Sequence, residues 1–539
     1  MAATHAPLPD ELARHYLETG LWDDTSLGAL LVNALRARPQ QTMRVWSKTS
    51  PQELTFAELE SISRRFAAGL RARGVRPGDT VVYQLPNCAE AAATFVGLAV
   101  LGAVLVPVAG YYGRKELIDI VNSTEASVLV TAARHGNRNY LDELRDSRAA
   151  MPGLDIVVVC GGPPVTDAAA FTDVLDVDPV AAIAAGGSQQ PCMVAFTSGT
   201  SGRSKGVVHT HRTLGAEVRH HLDVIVPRGA TPQIVASPIA HAAGMTLGLL
   251  GPLYRGEPIN YADTFDIDFI VDVCHRQGLS PGGGAAIFLS ALIDHPGFTD
   301  EIARRMGYVV LGGSIVPSEL VLKAERRGIT VLRSYGSTEH PTISSGLMHD
   351  DPAHLRSTDG RLLPAVEVDI KRADGTSAPT GVEGEIYSRG PDRCAGYLDP
   401  TENAGSFDSD GWLATGDLGV LDSAGHLAVT GRANDLIIRN GINISPAEVE
   451  NAVLSCPGVA DVAVVGVPDH RTGERAVAFV EPSGPSPPTL SDIAAHLDRV
   501  GLAKPKWPEE LRLVTGFPRT VSGKIQKYVL REQVRDGRT

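Results

Sequence analysis

The chain has 539 residues, of which 43% are hydrophobic and 21% charged, and a formal net charge of −13. This length and composition fit a globular protein with one large domain and a smaller one. The acidic balance argues against a nucleic-acid-binding protein that relies on a general positive field. The six cysteines are scattered, with no zinc-ligand pattern and no disulfide framework, which favours a reducing, cytoplasmic compartment.

Helical and strand patterns alternate in the N-terminal part of the chain. Asp24 or Thr25 can cap a helix over 27–37, and Thr55 can cap a second helix that extends to Leu70. The next predicted elements are strands over 79–85, 103–106, 126–130 and 156–159 and helices over 89–101 and 117–121. This alternation is typical of parallel βαβ units.

The apolar run 91–108 approaches the length of a membrane span. Gly97, Gly102 and Pro107 interrupt the run, so it favours a buried helix that leads into a strand. We therefore expect no transmembrane segment.

A polar loop lies between the apolar residues 193–196 and 207–208. It carries Thr197, Ser198, Gly199, Thr200, Ser201, Gly202 and Lys205. Glycine permits positive φ, so consecutive backbone N–H groups can point inward and, with hydroxyls and a lysine, hold phosphate oxygens. The alternative is an ordinary solvated Ser/Gly loop. A Walker A loop is excluded, because the spacing G-x-x-x-x-G-K-[ST] is absent.

Beyond this loop, turns rich in glycine or polar residues follow several predicted strands. The strand 234–237 leads to His241, the strand 308–312 enters Gly313-Ser314, and the strand 330–334 enters the turn 335–339. Helices are predicted over 242–254, 264–277 and 319–327. Ligands bind outside the carboxyl ends of parallel strands, so these turns can converge on one cleft. In it, Tyr335 offers a flat face for a base and Glu339 a carboxylate that suits Mg²⁺.

The pattern changes twice in the last third of the chain. Short strands and turns between 359 and 429 predict a small β-barrel subdomain. After Arg432 a compact α+β pattern begins, with helices predicted over 446–454, 490–500 and 524–535 and strands over 459–467 and 475–480. We therefore predict an α/β fold: a large N-terminal domain, residues 1–434, with two βαβ subdomains and the barrel, and a small C-terminal α+β domain, residues 435–539.

Five segments match, in order and spacing, the core motifs of the adenylate-forming superfamily: 196–207, 335–339, 415–417, 431–448 and 518–524. Over nearly its whole length the chain resembles this superfamily, which includes acyl-CoA synthetases, peptide-synthetase adenylation domains and luciferases. The segments 16–22 and 335–339 resemble those of bacterial medium-chain fatty acyl-CoA ligases and cyclohexanecarboxylate-CoA ligases.

The resemblance implies roles for individual residues around ATP. It assigns the β- and γ-phosphates and pyrophosphate to the loop residues Thr197, Ser198, Gly199, Thr200, Ser201, Gly202 and Lys205. It assigns the remaining nucleotide contacts to Gly313, Ser314, Ser334, Tyr335, Gly336, Ser337, Thr338, Asp417 and Arg432. Asp417 and Arg432 fall on the ribose positions, Thr338 and Glu339 on the α-phosphate, and Glu339 with Thr197 on the metal. Lys524 falls on the catalytic lysine and Asp435 on the hinge of a mobile C-terminal domain.

The resemblance also implies an acyl pocket and a path for CoA. The acyl pocket is expected at His241, Gly244, Gly283, Gly284, Gly312 and Gly336, where small apolar residues would open volume. The expected CoA contacts are Arg439, Gly441 and Lys504. Without the resemblance, His241 would be interpreted as a core residue; for Arg439 and Lys504, solvated surface charge is the alternative to a CoA contact.

The implied activity is that of an acyl-CoA ligase. ATP and a carboxylic acid give acyl-AMP and pyrophosphate, with Lys524 between the two anions and Mg²⁺ neutralising charge; the CoA thiol then takes the acyl group. The apolar pocket segments predict a medium-chain or bulky alicyclic or polycyclic acid. Alternatives are an adenylating enzyme that loads a carrier protein, a luciferase-like monooxygenase and a nucleotide-sensing protein; the last is disfavoured because Lys524 and Glu339 are present. A homodimer is left open.

Overall fold

A computed structural model describes residues 6–162, 166–184, 186–197, 204–314, 316–439, 442–519 and 524–535. The predicted site residues Ser198, Gly199, Thr200, Ser201, Gly202 and Gly441 lie outside these ranges.

Most strands of the eight-stranded first sheet are parallel and buried on both faces. Its strand order is Gly396–Tyr397, Lys205–Thr210, Pro191–Thr197, Val104–Pro107, Thr80–Gln84, Val128–Ala132, Ile156–Cys160 and Ala169–Ala170. The first two strands run antiparallel to their neighbours. Every residue of Thr80–Gln84 and Val128–Ala132 is buried, as expected where helices cover a parallel sheet.

The second and third sheets form the other βαβ part of the large domain. The second has the order Ser280–Pro281, Gln233–Val235, Ile259–Ala262, Thr42–Trp46 and Gln52–Thr55. The third has the order Tyr308–Gly312, Thr330–Tyr335, Ser344–Ser345 and Arg361–Leu362. A parallel bridge from Gly284 to Leu311 joins the two sheets directly after Ser280–Pro281.

Helices fill the crossovers and cover these sheets. The α-helices of the large domain are Asp10–Glu18, Leu27–Ala37, Phe56–Ala72, Ala89–Leu101, Arg114–Ser123, Tyr140–Ser147, Phe171–Val174, His211–Ala216, Leu222–Ile225, Gly251–Arg255, Ile267–Gln277, Ala286–Ile293, Asp300–Met306, Ser318–Arg326 and Pro352–Ser357. Two π-helical segments, Glu217–His221 and Gly244–Leu250, continue neighbouring α-helices. The short strands Arg134–His135 and Arg138–Asn139 form a separate hairpin.

The region predicted as a barrel contains four antiparallel strands. Their order is Glu367–Lys371, Gly384–Arg389, Leu413–Leu421 and Leu427–Arg432. Among the described residues this sheet keeps two edges, so the expected barrel is open. The edge strand Leu427–Arg432 is linked to the third sheet, because the backbone of Leu427 exchanges hydrogen bonds with Asp359 and Gly360.

The C-terminal part begins after a 3₁₀ turn, Ala433–Asp435, and has its own sheet and core. Its strands are Ile442–Ile444, Ile437–Arg439, Gly473–Pro482 and Val459–Asp469, in that order, with Glu510–Leu513 parallel to Gly473–Pro482. Its α-helices are Pro446–Leu454, Leu490–Arg499 and Lys527–Arg535. The predicted domain boundary falls in the 3₁₀ turn; the division into 1–434 and 435–539 stays a prediction.

Two local predictions are wrong in detail. The helix Leu27–Ala37 is capped by Ser26, whose hydroxyl accepts from the Ala29 N–H, and not by Asp24 or Thr25. The last helix starts at Lys527 rather than at Lys524, because Gln526 N–H bonds Pro518 O and Arg519 bridges Ile525, so the chain is still in a turn there. Thr55, by contrast, caps its helix in a capping box with Glu58, as expected.

The apolar run 91–108 forms a buried helix and a buried strand. In Ala89–Leu101 the residues from Ala91 to Leu101 are buried, and Val104–Pro107 lies inside the first sheet. Among the described residues, no helix combines the length and the apolar character that a membrane crossing requires.

We predict that Gly283→Ala destabilises the junction between the second and third sheets. A Cβ at Gly283 would lie 2.2 Å from Val310 O, and neither backbone can move without breaking the parallel pairing. The expected cost is about 1–3 kcal/mol, measured as a lower midpoint of urea unfolding. Gly153→Ala is the control, because no heavy atom lies within 4 Å of its Cβ position; equal midpoints for both variants would contradict the prediction.

Candidate active site

Three chain segments meet at the carboxyl ends of the strands in the third sheet. Gly312 pairs with Ser334 at the ends of their parallel strands. On the other side, Gly312 N–H donates to Gly284 O over 3.1 Å. The segments 283–284, 312–314 and 334–336 are therefore adjacent, so two of the turns that the sequence expects to converge, those after 308–312 and 330–334, meet on this edge.

The glycines of the expected acyl pocket have a structural reason that the sequence did not reveal. A Cβ would lie 2.1 Å from Pro238 O at Gly244, and 1.9 Å from Pro341 O at Gly336. At Gly283 the obstacle is likewise a backbone carbonyl, as described above. At these three positions glycine is required because two backbones touch, and the absent side chains do not open a cavity. Volume for an acid must come from neighbouring residues.

The turn after Tyr335 is held by backbone contacts from two sides. His209 Nε2 donates to Thr338 O over 2.8 Å, and Cys394 N–H donates to Glu339 O over 2.7 Å. Within the turn, Ser337 N–H donates to His340 O over 2.9 Å. These bonds fix the main chain from which the side chains of Thr338 and Glu339 project.

Glu339 is joined to the first sheet by Tyr397. The Tyr397 hydroxyl donates to Glu339 Oε1 over 2.9 Å, and burial together with this carboxylate raises the pKa of Tyr397 well above its usual value. Tyr397 therefore stays a neutral donor. Fixing one oxygen orients the carboxylate, and its other oxygen, Oε2, has the chemistry of a Mg²⁺ ligand.

Lys205, at the end of the predicted phosphate loop, has an acidic partner in this structure. Its Nζ lies 2.6 Å from Glu402 Oε2 and 5.0 Å from the centre of the Tyr397 ring. Thr197 pairs with Lys205 across the loop, so both ends of the loop stand next to each other. A polyphosphate bound here would compete with Glu402 for the ammonium group.

The expected ribose position contains a three-residue hydrogen-bonded group. Tyr335 OH donates to Asp417 Oδ2 over 2.8 Å, and Arg432 Nε lies 3.0 Å from Asp417 Oδ1. Burial and the Asp417 carboxylate raise the pKa of Tyr335 well above its usual value, so the phenol stays protonated. The structure thus brings the base-stacking and ribose candidates together.

Lys524 reaches this cleft from the C-terminal part of the chain. Desolvation in the cleft and the Arg432 guanidinium lower the pKa of Lys524, while Asp417 and Glu339 act in the opposite direction. Burial and the nearby Lys524 also lower the pKa of His241, which is therefore neutral at pH 7. The Lys524 ammonium is therefore within electrostatic range of Asp417 and Arg432, the ribose candidates, of Glu339, the metal candidate, and of His241, the acid-site candidate.

The hinge candidate Asp435 and the two basic CoA candidates are engaged in ion pairs or ring contacts. Asp435 Oδ1 lies 2.5 Å from Arg531 Nη2 on the last helix. Arg439 Nη2 lies 2.6 Å from Glu509 Oε1, and Lys504 Nζ lies 5.7 Å from the Trp507 ring centre. The role of Arg439 and Lys504 with CoA stays a prediction.

Several residues at the site were missed by the sequence analysis. They are Tyr397, Glu402, His209 and Asn87; the Asn87 amide bonds Ser237 O, Ala262 O and the Ile239 N–H, and so shapes the turn before His241. A signal was available for some of them, because a buried polar residue inside an apolar stretch needs a partner. The sequence does not say which partner.

Two parts of the chain match known families. Residues 31–398 match the family described as AMP-binding enzyme, and residues 448–524 match the AMP-binding enzyme C-terminal domain. The first match covers more than half of the chain, so the chain belongs to the AMP-binding enzymes.

Its relatives in that family include ligases that form CoA thioesters. The 3-[(3aS,4S,7aS)-7a-methyl-1,5-dioxo-octahydro-1H-inden-4-yl]propanoyl:CoA ligase of Rhodococcus jostii (strain RHA1) is 34% identical over 493 residues, which cover 89% of this chain and 94% of that protein. The medium-chain fatty-acid–CoA ligase of Escherichia coli (strain K12) is 30% identical over 524 residues, which cover 96% of this chain and 92% of that protein.

The structure is also similar to solved structures of a relative. ATP-bound MatB from Rhodopseudomonas palustris superposes with a TM-score of 0.85 at 27% identity, covering 96% of this chain and 100% of that one. The apo form of the same protein gives a TM-score of 0.77 over the same coverage. The fold here is therefore closer to the ATP-bound form.

We predict that Glu402→Gln increases the affinity for ATP and for pyrophosphate. The change removes the charge that competes for Lys205, and a half-exposed pair of this kind is worth at most about 1 kcal/mol, or about fivefold. The measurement is the dissociation constant of ATP and that of pyrophosphate, both by calorimetry. Glu367→Gln, which breaks a pair with Arg389 outside the site, is the matched control; weaker binding by Glu402→Gln would contradict the competition.

Proposed function

We propose that this protein is an ATP- and CoA-dependent ligase that converts a hydrophobic carboxylic acid into its CoA thioester by way of an acyl-adenylate. The observation that carries the proposal is the location of Lys524. It comes from the C-terminal part of the chain, and Arg432, Asp417 and Glu339 lie close enough for their charges to affect its pKa. An ammonium at this point suits a reaction in which two anions must meet.

In the first half-reaction, a carboxylate oxygen of the acid attacks the α-phosphorus of ATP and pyrophosphate leaves. Lys524 would bridge the attacking carboxylate and the α-phosphate, and Thr338 would bind an α-phosphate oxygen. Tyr335, Asp417 and Arg432 would hold the nucleoside, while Lys205 would bind the leaving phosphates. When bound through Glu339, Mg²⁺ neutralises phosphate charge. Thr197 is the other proposed metal contact.

In the second half-reaction, the CoA thiol attacks the acyl carbonyl, the bond to AMP breaks, and AMP leaves. Lys524 lies close enough to His241 to lower the pKa of the imidazole, so we propose that the C-terminal domain turns at Asp435 before the thiol enters. The greater similarity to the ATP-bound relative supports the assignment of this structure to the first half-reaction. Arg439, Gly441 and Lys504 are the proposed CoA contacts after that turn.

The acid is proposed to be a medium-chain, alicyclic or polycyclic one. The relatives named above act on a fatty acid of medium chain length and on a propanoate attached to two fused rings. His241 and the apolar residues around 242–250 are the proposed walls of the acid site. A cytoplasmic location is supported by the six free thiols, five of which are buried.

A single assay tests the proposed function. Pyrophosphate release is measured with fatty, alicyclic, aromatic and polycyclic acids, with and without CoA. We expect multiple turnovers only when CoA is present, with thioester and AMP as products. Full turnover without CoA, or no release with any acid, would contradict the proposal.

We predict that Lys524→Ala separates the two half-reactions. Acyl-adenylate formation should fall by about 10²–10³-fold, the typical effect of removing one preorganised group. Thioester formation from supplied acyl-AMP should stay within about twofold, because Lys524 has no role once the adenylate exists. Lys506→Ala, which changes a lysine paired with Glu448, is the control. Equal losses in both half-reactions would be inconsistent with the two-conformation mechanism.

We predict an alkaline limit to adenylation that belongs to Lys524. Bridging two anions requires the protonated ammonium, and the free protein lowers its pKa below the ordinary lysine value of about 10.4. The rate constant kcat/KM for ATP should therefore decline with rising pH through a pKa below that value. Lys524→Arg, whose side chain stays charged, should lose this decline while keeping part of the rate. A decline that is unchanged in Lys524→Arg would assign it to another group.

A further inference from the structure

Behind the turn that carries Thr338 and Glu339 lies a chain of buried ionisable side chains. Its members are Glu217, His221, Asp392 and His340, and all four side chains are fully buried. None of them belongs to the motifs assigned above.

The contacts form a path that begins and ends on the same turn. Thr342 Oγ1 donates to Glu217 Oε1 over 2.8 Å, and His221 Nδ1 lies 3.1 Å from Glu217 Oε2. The same nitrogen lies 3.5 Å from Asp392 Oδ2, and His340 Nε2 lies 3.1 Å from Asp392 Oδ1. His340 and Thr342 flank Pro341, so the path clamps both sides of one residue.

The partners of His221 decide its protonation. Nδ1 faces two carboxylates, and Nε2 lies 3.0 Å from the carbonyl of Pro364, so both ring nitrogens must donate. Burial alone would lower the pKa of His221, but Asp392 and Glu217 raise it well above the ordinary histidine value. His221 is therefore a buried imidazolium between two carboxylates, a pairing whose disruption leaves an uncompensated charge.

The path connects elements that are distant in the sequence. Glu217 and His221 lie on a π-helical turn, Asp392 follows the strand Gly384–Arg389, and His340 also bonds Ser388 Oγ over 2.9 Å. A Cβ at Gly390 would lie 2.9 Å from His340 Nε2, so the neighbouring backbone closes on the ring.

We infer that Glu217, His221, Asp392 and His340 are positioning residues for adenylation, because they hold the turn 336–342 so that Thr338 and Glu339 address the α-phosphate and the metal. The inference rests on the proposed function for its catalytic part. These four residues touch no substrate; they act through the turn. The second half-reaction does not need the metal or the attack on phosphorus, so loss of the network should affect the first half-reaction alone.

Two variants test the inference, one that removes a charge and one that does not. Asp392→Asn keeps the shape but presents a donor to His221, and Thr342→Val keeps the shape but cuts the link to Glu217. We expect Asp392→Asn to slow pyrophosphate exchange by about 10²-fold and to raise the Mg²⁺ concentration needed for half the maximal rate. Thr342→Val should show the same pattern more weakly, and Thr342→Ser, which restores the hydroxyl, should recover the exchange. Thioester formation from supplied acyl-AMP should stay within about twofold in each.

Glu60→Gln is the matched control, because it breaks a largely buried pair with Arg64 far from the turn. Amide hydrogen exchange of the segment 336–342 without ligands is measured in parallel, and Asp392→Asn and Thr342→Val should accelerate it. Unchanged hydrogen exchange, or equal losses in both half-reactions, would overturn the inference. A wild type that exchanges no pyrophosphate with any acid would contradict the proposed function instead, while the hydrogen exchange still decides whether the network fixes the turn.

Discussion

The repulsion between like charges is the constraint on which this site depends. A carboxylate must approach a polyphosphate, and the chain as a whole is acidic, with a net charge of −13. Positive groups therefore have to be concentrated locally, and acidic neighbours balance their charge while no phosphate is bound. Lys205 and Arg432 are each held by a carboxylate in this structure, from Glu402 and Asp417 respectively. Lys524 is supplied from a separate part of the fold.

Backbone contacts, more than side chains, set the positions of the turns that surround the cleft. The second and third sheets are joined by a glycine run whose main chain bonds to Tyr308–Gly312. The turn that bears Thr338 and Glu339 is held by a histidine and by an amide N–H at its carbonyls. Main-chain anchors of this kind tolerate changes in the side chains that line the cleft, which suits a family whose relatives act on acids as different as those named above.

Much of the fold could be predicted because local signals agree with the tertiary structure. The helices Ala89–Leu101 and Pro446–Leu454 have the predicted bounds, since an apolar run with a glycine end and a Pro at the first turn are strong signals. The cap of Leu27–Ala37 was misplaced because Asp24, Thr25 and Ser26 are all capable of capping, and only geometry selects one. The start of the last helix was misplaced because tertiary bonds hold the residues after Lys524 in a turn.

In the candidate site, too, some residues could be identified from the sequence and others could not. Residues in contiguous motifs, such as Tyr335 and Asp417, were identified by resemblance, and the structure brings them together. The interpretation of Gly283 and Gly244 as openings was wrong, because a Cβ at either position would meet a backbone carbonyl, that of Val310 in another strand and that of Pro238 in the turn before His241. The buried network was not visible at all: Thr342 and Glu217 are separated by 125 residues, and His340 and Asp392 by 52. A pairing across such distances leaves no periodicity in the sequence.

The ion pair between Asp435 and Arg531 has a mechanical consequence. It ties the predicted pivot to the helix Lys527–Arg535, and Lys527 on that helix is itself bonded over 2.7 Å to Glu450 in the helix Pro446–Leu454. Asp435, the helix Lys527–Arg535 and the helix Pro446–Leu454 are thus linked to one another, and Lys524 lies three residues before the linked last helix. A small change of the backbone angles next to Asp435 would move the linked helices as one body. The Lys524 ammonium would then move by a distance that grows with its separation from Asp435, and the helices would not have to unfold.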